Sequence, residues 1–337
     1  MMLLITGGLG FIGSHTAVEA LRAGYDVLIL DNLRNARRDV IGGIQRAASG
    51  RVGFVEGDCR AAALLEKVFT RHEISAVIHF AALKAVSESI DKPLEYYANN
   101  LDGLISVLAA AGRKSIRNFV FSSSAAVYGI PQKIPITENH PLSIENTPYG
   151  FSKLVAEKII TDFVQAKGEM QVVLLRYFNP IGADASGAIG ESPSGVPNNL
   201  MPYLIQVASG EQEKLSVFGR DYPTEDGTCI RDFIHITDLA QAHLKALQWV
   251  AGREPSAPEV FNIGTGRGHS VLELIHAFER VNGVKLNYEF GPRRAGDNPI
   301  LYADITKAKH ILGWNPVLSI DDAVRDSWRW ANRQHTL

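Results

Sequence analysis

Tyr149 and Lys153 stand four residues apart in segment 148–153, and both side chains are able to take part in proton transfer. Four residues make about one turn of a helix, so both side chains would project from one face. A phenol normally loses its proton near pH 10. An adjacent ammonium group favours the phenolate and lowers its pKa, and such a Tyr can take a proton from a sugar or alcohol hydroxyl. The pair therefore predicts acid–base chemistry on a hydroxyl group.

The size of the required pKa shift indicates that the pair needs a partner. Lowering the Tyr149 pKa by about three units takes roughly 4 kcal/mol of differential stabilisation. An exposed ion pair usually supplies less than that, so a second positive charge is needed, and an oxidised nicotinamide ring would provide one. The spacing alone is also compatible with a surface lysine on a helix that begins with an aromatic residue. The motifs in the rest of the sequence distinguish the catalytic pair from the surface lysine.

The elements that would carry this pair alternate between strand and helix. Short segments rich in Val, Ile, Leu and Phe predict strands buried on both faces at residues 2–6, 26–30, 52–56, 76–80, 118–122 and 171–176. Helical patterns lie between them, including residues 14–23, 93–112 and 148–167, the last two of which open with proline. This alternation predicts an α/β fold with a Rossmann-type doubly wound parallel sheet over residues 1–180.

The pattern changes after Pro180. Residues 181–198 carry Gly, Ser, Pro and Asn without periodicity, which is typical of a loop, and we expect it to lie over a site. Helices are predicted near residues 199–209, 237–250 and 271–281, and a strand at 259–263. Residues 181–337 are therefore expected to form a smaller C-terminal α/β substrate lobe, from which some of the chain returns to the first domain.

A glycine-rich turn follows the first predicted strand. Gly7, Gly10 and Gly13, together with Gly8, precede a predicted helix, and such glycines let the backbone approach a pyrophosphate at the helix N-terminus. Asp31 ends the second strand about 20 residues later, where a ribose-binding carboxylate belongs. The turn predicts dinucleotide binding. The carboxylate favours NAD over NADP, although the nearby arginines leave NADP open: Arg34, Arg37 and Arg38.

Two further polar positions follow strands. Asp58 comes after the third strand and would either accept a hydrogen bond from the adenine amino group or cap the next helix. Ser122, Ser123 and Ser124 follow the fifth strand, at the carboxyl edge where this architecture binds ligands. A serine hydroxyl there can contact a reacting hydroxyl or the Tyr149 oxygen. Together with Tyr149 and Lys153 the serines predict a Ser–Tyr–Lys catalytic set.

Composition excludes several classes of protein. The chain has 337 residues, 46% of them apolar and 21% charged, with a net charge of −2, so neither nucleic acid nor an anionic membrane is an expected partner. The two cysteines, Cys59 and Cys229, are too few for a disulfide framework, and no metal-binding spacing is present. We expect no secretion signal, because the first apolar segment gives way to the glycine turn after five residues, and no membrane span, because no apolar segment approaches the required length. We expect a cytoplasmic enzyme without a metal.

These motifs resemble those of the extended short-chain dehydrogenase/reductase superfamily: the glycine turn, Asp31, the serine and Tyr-x-x-x-Lys. Further segments narrow the resemblance to the UDP-glucose 4-epimerase family along essentially the whole chain. These segments are residues 30–33, 79–86, 92–97, 176–180, 197–203, 222–228 and 231–235.

The resemblance implies a reaction and a set of site residues. Tyr149 would take the proton of the sugar 4-hydroxyl while the C4 hydride passes to tightly bound NAD, and the hydride would return to the other face of a 4-keto sugar. Lys153 would lower the Tyr149 pKa and bind the nicotinamide ribose, and Ser124 would contact the sugar oxygen. Besides these three residues and the glycine turn, the implied cofactor residues are Phe11, Ile12, Asp31, Asn32, Asn35, Asp58, Cys59, Phe80, Ala81, Ala82, Lys84, Asn99, Ser122 and Phe178. The implied UDP-sugar residues are Lys84, Ser124, Tyr149, Tyr177, Asn179, Asn199, Leu200, Arg231, Arg294, Asp297 and Leu301. The resemblance also implies a homodimer formed through the helices that begin near Pro93 and Pro148.

Two departures from the family pattern concern the sugar pocket. Ala126 stands where the family often has Thr, and Leu301 where many bacterial members carry Tyr beside the 2-position of the sugar. Leu301 leaves the acceptance of N-acetylated UDP-sugars open. The alternatives are another UDP-sugar 4-epimerase, a nucleotide-sugar 4,6-dehydratase, a dehydrogenase with net NADH production, and a non-catalytic dinucleotide sensor. A dehydratase would carry an acidic pair where this chain has Ala125 and Ala126.

Overall fold

The computed structural model describes residues 1–193, 197, 199–294 and 297–334. Within these ranges the largest sheet has seven strands, all paired in parallel, in the spatial order β11-β6-β5-β4-β1-β2-β3. Its strands are β1 (Met2–Thr6), β2 (Asp26–Asp31), β3 (Val52–Glu56), β4 (Ile74–His79), β5 (Asn118–Ser122), β6 (Gln171–Tyr177) and β11 (Glu259–Ile263). The predicted doubly wound sheet is confirmed.

The central strand β1 shows how the sheet is stabilised. Alternate side chains of a strand point to opposite faces. Leu3 and Ile5 join the apolar core on one face, whereas Leu4 joins the core on the other, and all three are fully buried. The strand order reverses between β1 and β4, and the carboxyl ends on either side of this reversal form the crevice where such sheets bind ligands.

The helices are α1 (Phe11–Arg22), α2 (Val40–Ala47), α3 (Ala62–Arg71), α4 (Val86–Asp91), α5 (Pro93–Arg113), α6 (Pro148–Lys167), α7 (Leu200–Ala208), α8 (Ile236–Val250), α9 (Val271–Asn282) and α10 (Ile320–Gln334). Helices of the first half and α8 cover the two faces of the sheet, whereas α7, α9 and α10 pack together in the C-terminal half. The prediction placed the start of α1 at Ser14, which is three residues late, because Gly10 already serves as the extended N-cap. The fourth strand was also displaced: β4 begins at Ile74 and ends at His79 rather than spanning 76–80.

The C-terminal half contributes a third apolar core and three small sheets among the described residues. Their strands are β7 (Asn179–Ile181), β8 (Leu215–Phe218), β9 (Ile230–Arg231), β10 (Phe233–His235), β12 (His269–Ser270), β13 (Tyr288–Gly291) and β14 (Ile300–Leu301). β10 pairs with β7, β9 lies between β12 and β14, and β13 pairs with β8. The chain returns to the first sheet through α8, which packs on α1, and through β11, which pairs with β6.

The predicted loop at 181–198 has no helix or strand in its described part beyond the end of β7 at Ile181, and residues 194–196 and 198 lie outside the described residues. In the part of the chain that the structure describes, no helix is long and apolar enough to cross a membrane. The same part contains no cluster of three or more His, Cys, Asp or Glu side chains arranged to hold a metal ion.

Candidate active site

The glycine turn between β1 and α1 is packed so closely that side chains are excluded. Gly7 has a φ of +68°, and a Cβ built on it would lie 2.7 Å from the backbone nitrogen of Ala81. A Cβ on Gly13 would lie 2.3 Å from the Gly7 carbonyl oxygen. The first turn of α1 therefore approaches the end of β1 at backbone distance, and its N-terminal amides face the crevice. This arrangement suits a phosphate group.

Asp31 lies beside this turn at the end of β2. Its Oδ2 accepts a hydrogen bond from the Leu9 backbone nitrogen at 3.1 Å, and its Oδ1 accepts one from the Leu33 nitrogen at 2.9 Å. Burial raises the pKa of the carboxyl group, and the two backbone amides oppose the shift. Each carboxylate oxygen has a second lone pair, so Asp31 retains acceptor capacity for hydroxyl groups.

Asp58 and Asn32 face each other across the ends of β2 and β3. The Asn32 amide lies 3.3 Å from an Asp58 oxygen, and the Arg60 guanidinium 2.7 Å from the same carboxylate. The Arg60 hydrogen bond and ion pair lower the Asp58 pKa to about 2. The alternative that Asp58 caps the next helix is wrong, because Ala61 is the N-cap of α3. Burial raises the pKa of the neighbouring Cys59 thiol to about 12, so this thiol is not a reactive nucleophile.

The three arginines that left NADP open are each paired with a surface carboxylate. Arg34 pairs with Glu95, Arg37 with Asp39, and Arg38 with Glu56. These ion pairs engage the positive charge that would otherwise be available to a 2′-phosphate.

Tyr149 and Lys153 lie on the buried face of α6, as their spacing predicted. The helix begins with Pro148, and its N-cap Thr147 accepts a hydrogen bond from the Gly150 nitrogen at 3.3 Å. The Lys153 Nζ donates to the Ser122 carbonyl oxygen at 2.7 Å and lies 4.9 Å above the Phe121 ring. Lys153 thus ties α6 to the end of β5.

The protein's own groups do not lower the Tyr149 pKa below its usual value. Burial raises the pKa of Tyr149, and a hydrogen bond with Ser124 opposes the shift. The Lys153 ammonium is bonded to a backbone carbonyl rather than to the phenol. Burial also lowers the pKa of Lys153 to about 7, with Glu157 opposing. Formation of a phenolate therefore needs an additional positive charge at the site.

The three serines after β5 have different partners. Ser122 Oγ is hydrogen-bonded to the Tyr177 hydroxyl, and the buried Ser123 donates to Glu157. The Ser124 hydroxyl lies near enough to Tyr149 to oppose the rise in its pKa, and its Oγ caps the short 3₁₀ turn over Ala125–Tyr128 by accepting from the Ala126 nitrogen at 3.1 Å. Ser124 is therefore the serine aligned with the catalytic pair. Ala125 and Ala126 follow it and supply no acidic group.

The further residues expected to bind the cofactor lie after strand ends, on helices or in a loop. Phe80, Ala81, Ala82 and Lys84 follow the end of β4, and Phe178 follows the end of β6. Asn99 lies on α5, where its amide donates to Asn100, which in turn accepts from the Leu83 nitrogen at 2.7 Å. Ile12 lies on the first turn of α1, and Asn35 is exposed in the loop after β2. Most of this set thus lies at the carboxyl edge of the sheet.

Three of the expected UDP-sugar residues of the C-terminal half lie together around β9, namely Arg231, Asp297 and Leu301. The Arg231 guanidinium lies 3.2 Å from an Asp297 oxygen and donates to the Asn298 carbonyl oxygen at 2.7 Å. Leu301 on β14 is paired with Arg231 and packs against the apolar cluster that contains Phe178 and Ala125. Leu301 therefore lies close to the 3₁₀ turn over Ala125–Tyr128, which Ser124 caps. Asn179 pairs with Phe233 on β10 and is exposed.

Two side chains of this region were missed by the sequence analysis. Phe218 at the end of β8 is 40% exposed, and the Arg294 guanidinium lies 4.7 Å above its ring. Glu191 is 8% exposed, with its Oε1 at 3.3 Å from the Lys84 Nζ and accepting from the Asn199 amide at 2.5 Å. Phe218 could have been found from the alternation of β8. Nothing in the Gly-, Ser- and Pro-rich segment around Glu191 predicts its burial.

Comparison with known proteins identifies the family of the chain. The model of the NAD dependent epimerase/dehydratase family matches residues 3–264. The UDP-glucose 4-epimerase of Bacillus subtilis is 49% identical over 98% of this chain and 96% of its own length. A solved structure of UDP-glucose 4-epimerase from Bifidobacterium longum in complex with NAD+ and UDP is 44% identical, covers 99% of both chains and has a TM-score of 0.95. A structure from Stenotrophomonas maltophila with bound NAD and formylated UDP-arabinopyranose is 43% identical, covers 100% of this chain and 99% of its own, and has a TM-score of 0.96. The chain therefore belongs to the NAD dependent epimerase/dehydratase family, in the branch formed by the UDP-glucose 4-epimerases.

Proposed function

We propose that this chain is an isomerase that interconverts UDP-glucose and UDP-galactose through a transient 4-keto sugar, using tightly held NAD. The observation that carries the proposal is the set of Ser124, Tyr149 and Lys153 at the carboxyl edge of the sheet, in which Tyr149 and Lys153 are buried and Ser124 is half-buried. The set can move a proton at a sugar hydroxyl, and the neighbouring crevice can hold the dinucleotide that such an oxidation needs.

The residues present fit NAD. A Cβ on Gly7 or Gly13 would clash with backbone, so this turn keeps the open amides that a pyrophosphate requires. Asp31 keeps acceptor capacity beside the turn, where a ribose diol would be bound and a 2′-phosphate repelled. We assign Asn32, Asn35 and Asp58 to the adenosine end. Phe80, Ala81, Ala82, Lys84, Asn99, Ser122 and Phe178 would line the rest of the crevice.

The chain's own residues would carry out the proton transfer. The chemistry that NAD would supply when bound is reversible hydride transfer at C4 of the sugar. Tyr149 would take the proton of the 4-hydroxyl and give it back. Because burial alone raises the Tyr149 pKa, the positive charges of Lys153 and of the oxidised nicotinamide would favour the phenolate. Ser124 would orient the sugar oxygen through its hydrogen bond to Tyr149.

The C-terminal half would bind the nucleotide. Arg231 is fixed by Asp297 and by two backbone carbonyls, and we propose that it contacts the diphosphate together with Arg294. The exposed Phe218 ring below Arg294 offers a stacking surface for the base. Asn199 and Leu200, at the start of α7, would complete the nucleotide end. Lys84, Tyr177, Asn179 and Leu301 would surround the hexose.

We also propose a cytoplasmic homodimer that binds neither nucleic acid nor membrane. Leu94 on α5 is 81% exposed and Ile105 on the same helix is 47% exposed, so α5 presents apolar surface that a second copy packing on α5 and α6 would cover. Size-exclusion chromatography with light scattering should give about twice the chain mass. Leu94→Glu together with Ile105→Glu should then give the monomer mass.

The decisive test is incubation of the purified protein with UDP-galactose and no added cofactor. UDP-glucose should accumulate to equilibrium without net NADH, and acid-denatured protein should release about one NAD per chain. Stoichiometric NADH release would indicate a dehydrogenase, and a 4-keto-6-deoxy product a dehydratase. Cofactor-stripped protein should bind NAD at least roughly tenfold more tightly than NADP if Asp31 acts as proposed.

A specific observation favours a broader substrate range. Leu301 contacts the Phe178 cluster, whereas the Tyr302 ring on the alternate side of β14 packs beside Gly268. The Tyr177 hydroxyl is engaged by Ser122. Neither tyrosine is therefore available to occupy the space beside Leu301. We propose that the N-acetylated pair, UDP-N-acetylglucosamine and UDP-N-acetylgalactosamine, is also accepted.

A further inference from the structure

Glu157 lies on the same buried face of α6 as the catalytic pair. Tyr149, Lys153 and Glu157 follow one another at intervals of four residues, and all three side chains are buried. Residues four apart are neighbours on one face of a helix. The proposed proton transfer does not use Glu157. A buried carboxylate is costly unless it is paired and hydrogen-bonded, so its partners indicate what it does.

The partners of Glu157 come from two adjacent strands of the large sheet. The Ser123 hydroxyl, directly after β5, donates to Oε1. Arg176 on β6 donates to Oε1 from its Nε atom at 2.9 Å and to Oε2 from its Nη2 atom at 2.5 Å. Ser123 and Arg176 are both buried, and the bidentate ion pair fixes the orientation of the carboxylate. One carboxylate therefore ties α6 to the ends of β5 and β6.

Arg176 is itself held from the other side. Its Nη1 atom donates to the Tyr128 hydroxyl at 3.1 Å, and its guanidinium lies 5.0 Å from the centre of the Tyr128 ring. The Tyr128 hydroxyl donates to the Asn262 side-chain oxygen at 2.7 Å. Tyr128 ends the 3₁₀ turn that Ser124 caps. The ion pair therefore connects α6 to the turn that follows the three serines.

The residues on either side of Ser123 contact the catalytic pair. The Ser122 carbonyl oxygen accepts from the Lys153 Nζ at 2.7 Å, and the Ser124 hydroxyl lies near Tyr149. Ser123 itself is anchored, through the carboxylate, to the helix that carries the pair. This anchor restricts the positions of both neighbouring serines relative to the pair.

The charge of Glu157 also acts on Lys153. The titratable groups around Lys153 are Tyr149 and Glu157 on α6 and His79 on β4, and β5 contributes the uncharged Phe121 ring. Burial lowers the pKa of His79 to about 3, so this imidazole is neutral at neutral pH. Burial likewise lowers the pKa of Lys153 to about 7, and Glu157 opposes this shift. The carboxylate therefore favours the charged form of Lys153.

We propose that Glu157 is a positioning residue for the proton transfer: through Ser123 it holds the adjacent serines against Tyr149 and Lys153, and it supplies a fixed negative charge beside the Lys153 ammonium. This inference rests on the proposed function, which assigns Tyr149 and Lys153 their roles. Glu157 acts through these residues and needs no contact with the sugar.

Glu157→Gln tests the charge, because it keeps the size of the side chain and an acceptor oxygen for Ser123. Removal of a negative charge lowers the pKa of every neighbouring group. NMR of the cofactor-stripped full chain, with lysine isotopically labelled at Cε, follows the titration of Lys153, whose signal is identified by its absence in Lys153→Met. Its midpoint should fall by about one pH unit in Glu157→Gln. The pH profile of kcat for UDP-galactose, measured on holoprotein, should move in the same direction.

Ser123→Ala tests the anchor, because it leaves the charge and the ion pair with Arg176 in place. It should lower kcat about tenfold at an unchanged KM and leave the pH profile where it is. Glu157→Asp keeps the charge and should restore the Lys153 midpoint. Asp184→Asn is the matched control, since it removes another buried carboxylate, one paired with Arg22, and should move neither the midpoint nor the profile.

An unmoved Lys153 midpoint in Glu157→Gln would overturn the proposal and leave Glu157 as a structural ion pair. Should Glu157→Gln fail to fold, Ser123→Ala decides, and an unchanged kcat in that variant overturns the proposal. A chain that converts no UDP-hexose would instead contradict the proposed function, whereas the Lys153 midpoint would still report the charge of Glu157.

Discussion

The two ends of the crevice are built by different means. At the glycine turn, the shape is set by backbone atoms: a Cβ on Gly13 would lie 2.3 Å from a carbonyl oxygen. At the sugar end, the shape is set by side chains on the two-residue strands β9 and β14, where Leu301 is only half buried. Where backbone atoms line the crevice, only glycine fits. Where side chains line it, each substitution changes the shape of the crevice. We therefore expect the cofactor end to be intolerant of change and the sugar end to set specificity.

Tyr149 lies where the two ends meet, and its loss should have the largest effect. Tyr149→Phe removes the acid–base group but keeps the ring, so turnover of UDP-galactose should fall roughly 10²- to 10⁴-fold. The NAD content and the affinity for UDP should stay unchanged, because neither end of the crevice is altered. Near-normal turnover would contradict the assignment of Tyr149.

Lys153 should make stability depend on pH in a direction set by its burial. Its pKa falls to about 7 in the folded chain from the unfolded value of 10.5. Below about pH 7 the lysine is charged in both states, and the full cost of burying that charge opposes folding. Between about pH 7 and 10 the unfolded chain binds more protons, so folding becomes relatively more favourable.

Lys153→Met should therefore gain stability over the unmodified chain at pH 6, by at most about 5 kcal/mol, and this gain should shrink toward pH 10. Urea unfolding of cofactor-stripped protein at several pH values measures it. Lys158→Met, at an exposed position of the same helix, is the matched control for removal of a lysine from α6. A pH-independent effect of Lys153→Met would mean that the folded lysine is not perturbed.

Gly7→Ala directly tests the part of the crevice that backbone atoms line. Gly24→Ala is the matched control, since both glycines have a positive φ but a Cβ on Gly24 meets nothing within 4 Å. Both variants should lose stability from backbone strain. Gly7→Ala should lose about 1–3 kcal/mol more because of its contact with Ala81, and should retain less NAD after purification. Equal stability losses for the two variants would show that the backbone at Ala81 can move to accommodate the added methyl group.

Leu301→Tyr tests the part of the crevice that side chains line, and this variant should have the smallest effect. Overpacking the pocket costs about 1–3 kcal/mol, so kcat/KM for the N-acetylated pair should fall roughly 5- to 150-fold. Activity on UDP-galactose should change little, since the added ring faces the 2-position. The idea fails if the unmodified chain has no activity on the N-acetylated pair.

The sequence predicted the cofactor end more completely than the sugar end, and the physical reason is the same contrast. The glycine turn, Asp31 and the Tyr149–Lys153 pair are local patterns on regular elements. Their positions could therefore be predicted from the spacing of these residues and from the neighbouring motifs. The two-residue strands β9 and β14 are too short for periodicity to reveal. The partners of Lys153 and Glu191 depend on residues far away in the chain, which no local pattern encodes. The burial that raises the Tyr149 pKa likewise depends on residues distant in the chain.

The late return of β11 to the large sheet has a consequence for synthesis of the protein on the ribosome. β6 is buried along its whole length, yet its outer neighbour is not made until residue 263 has been translated. Until then the nascent chain exposes an apolar strand edge, which invites pairing with other chains. We expect a fragment ending at residue 180 to aggregate, and chaperones to engage the emerging chain most strongly between residues 177 and 263.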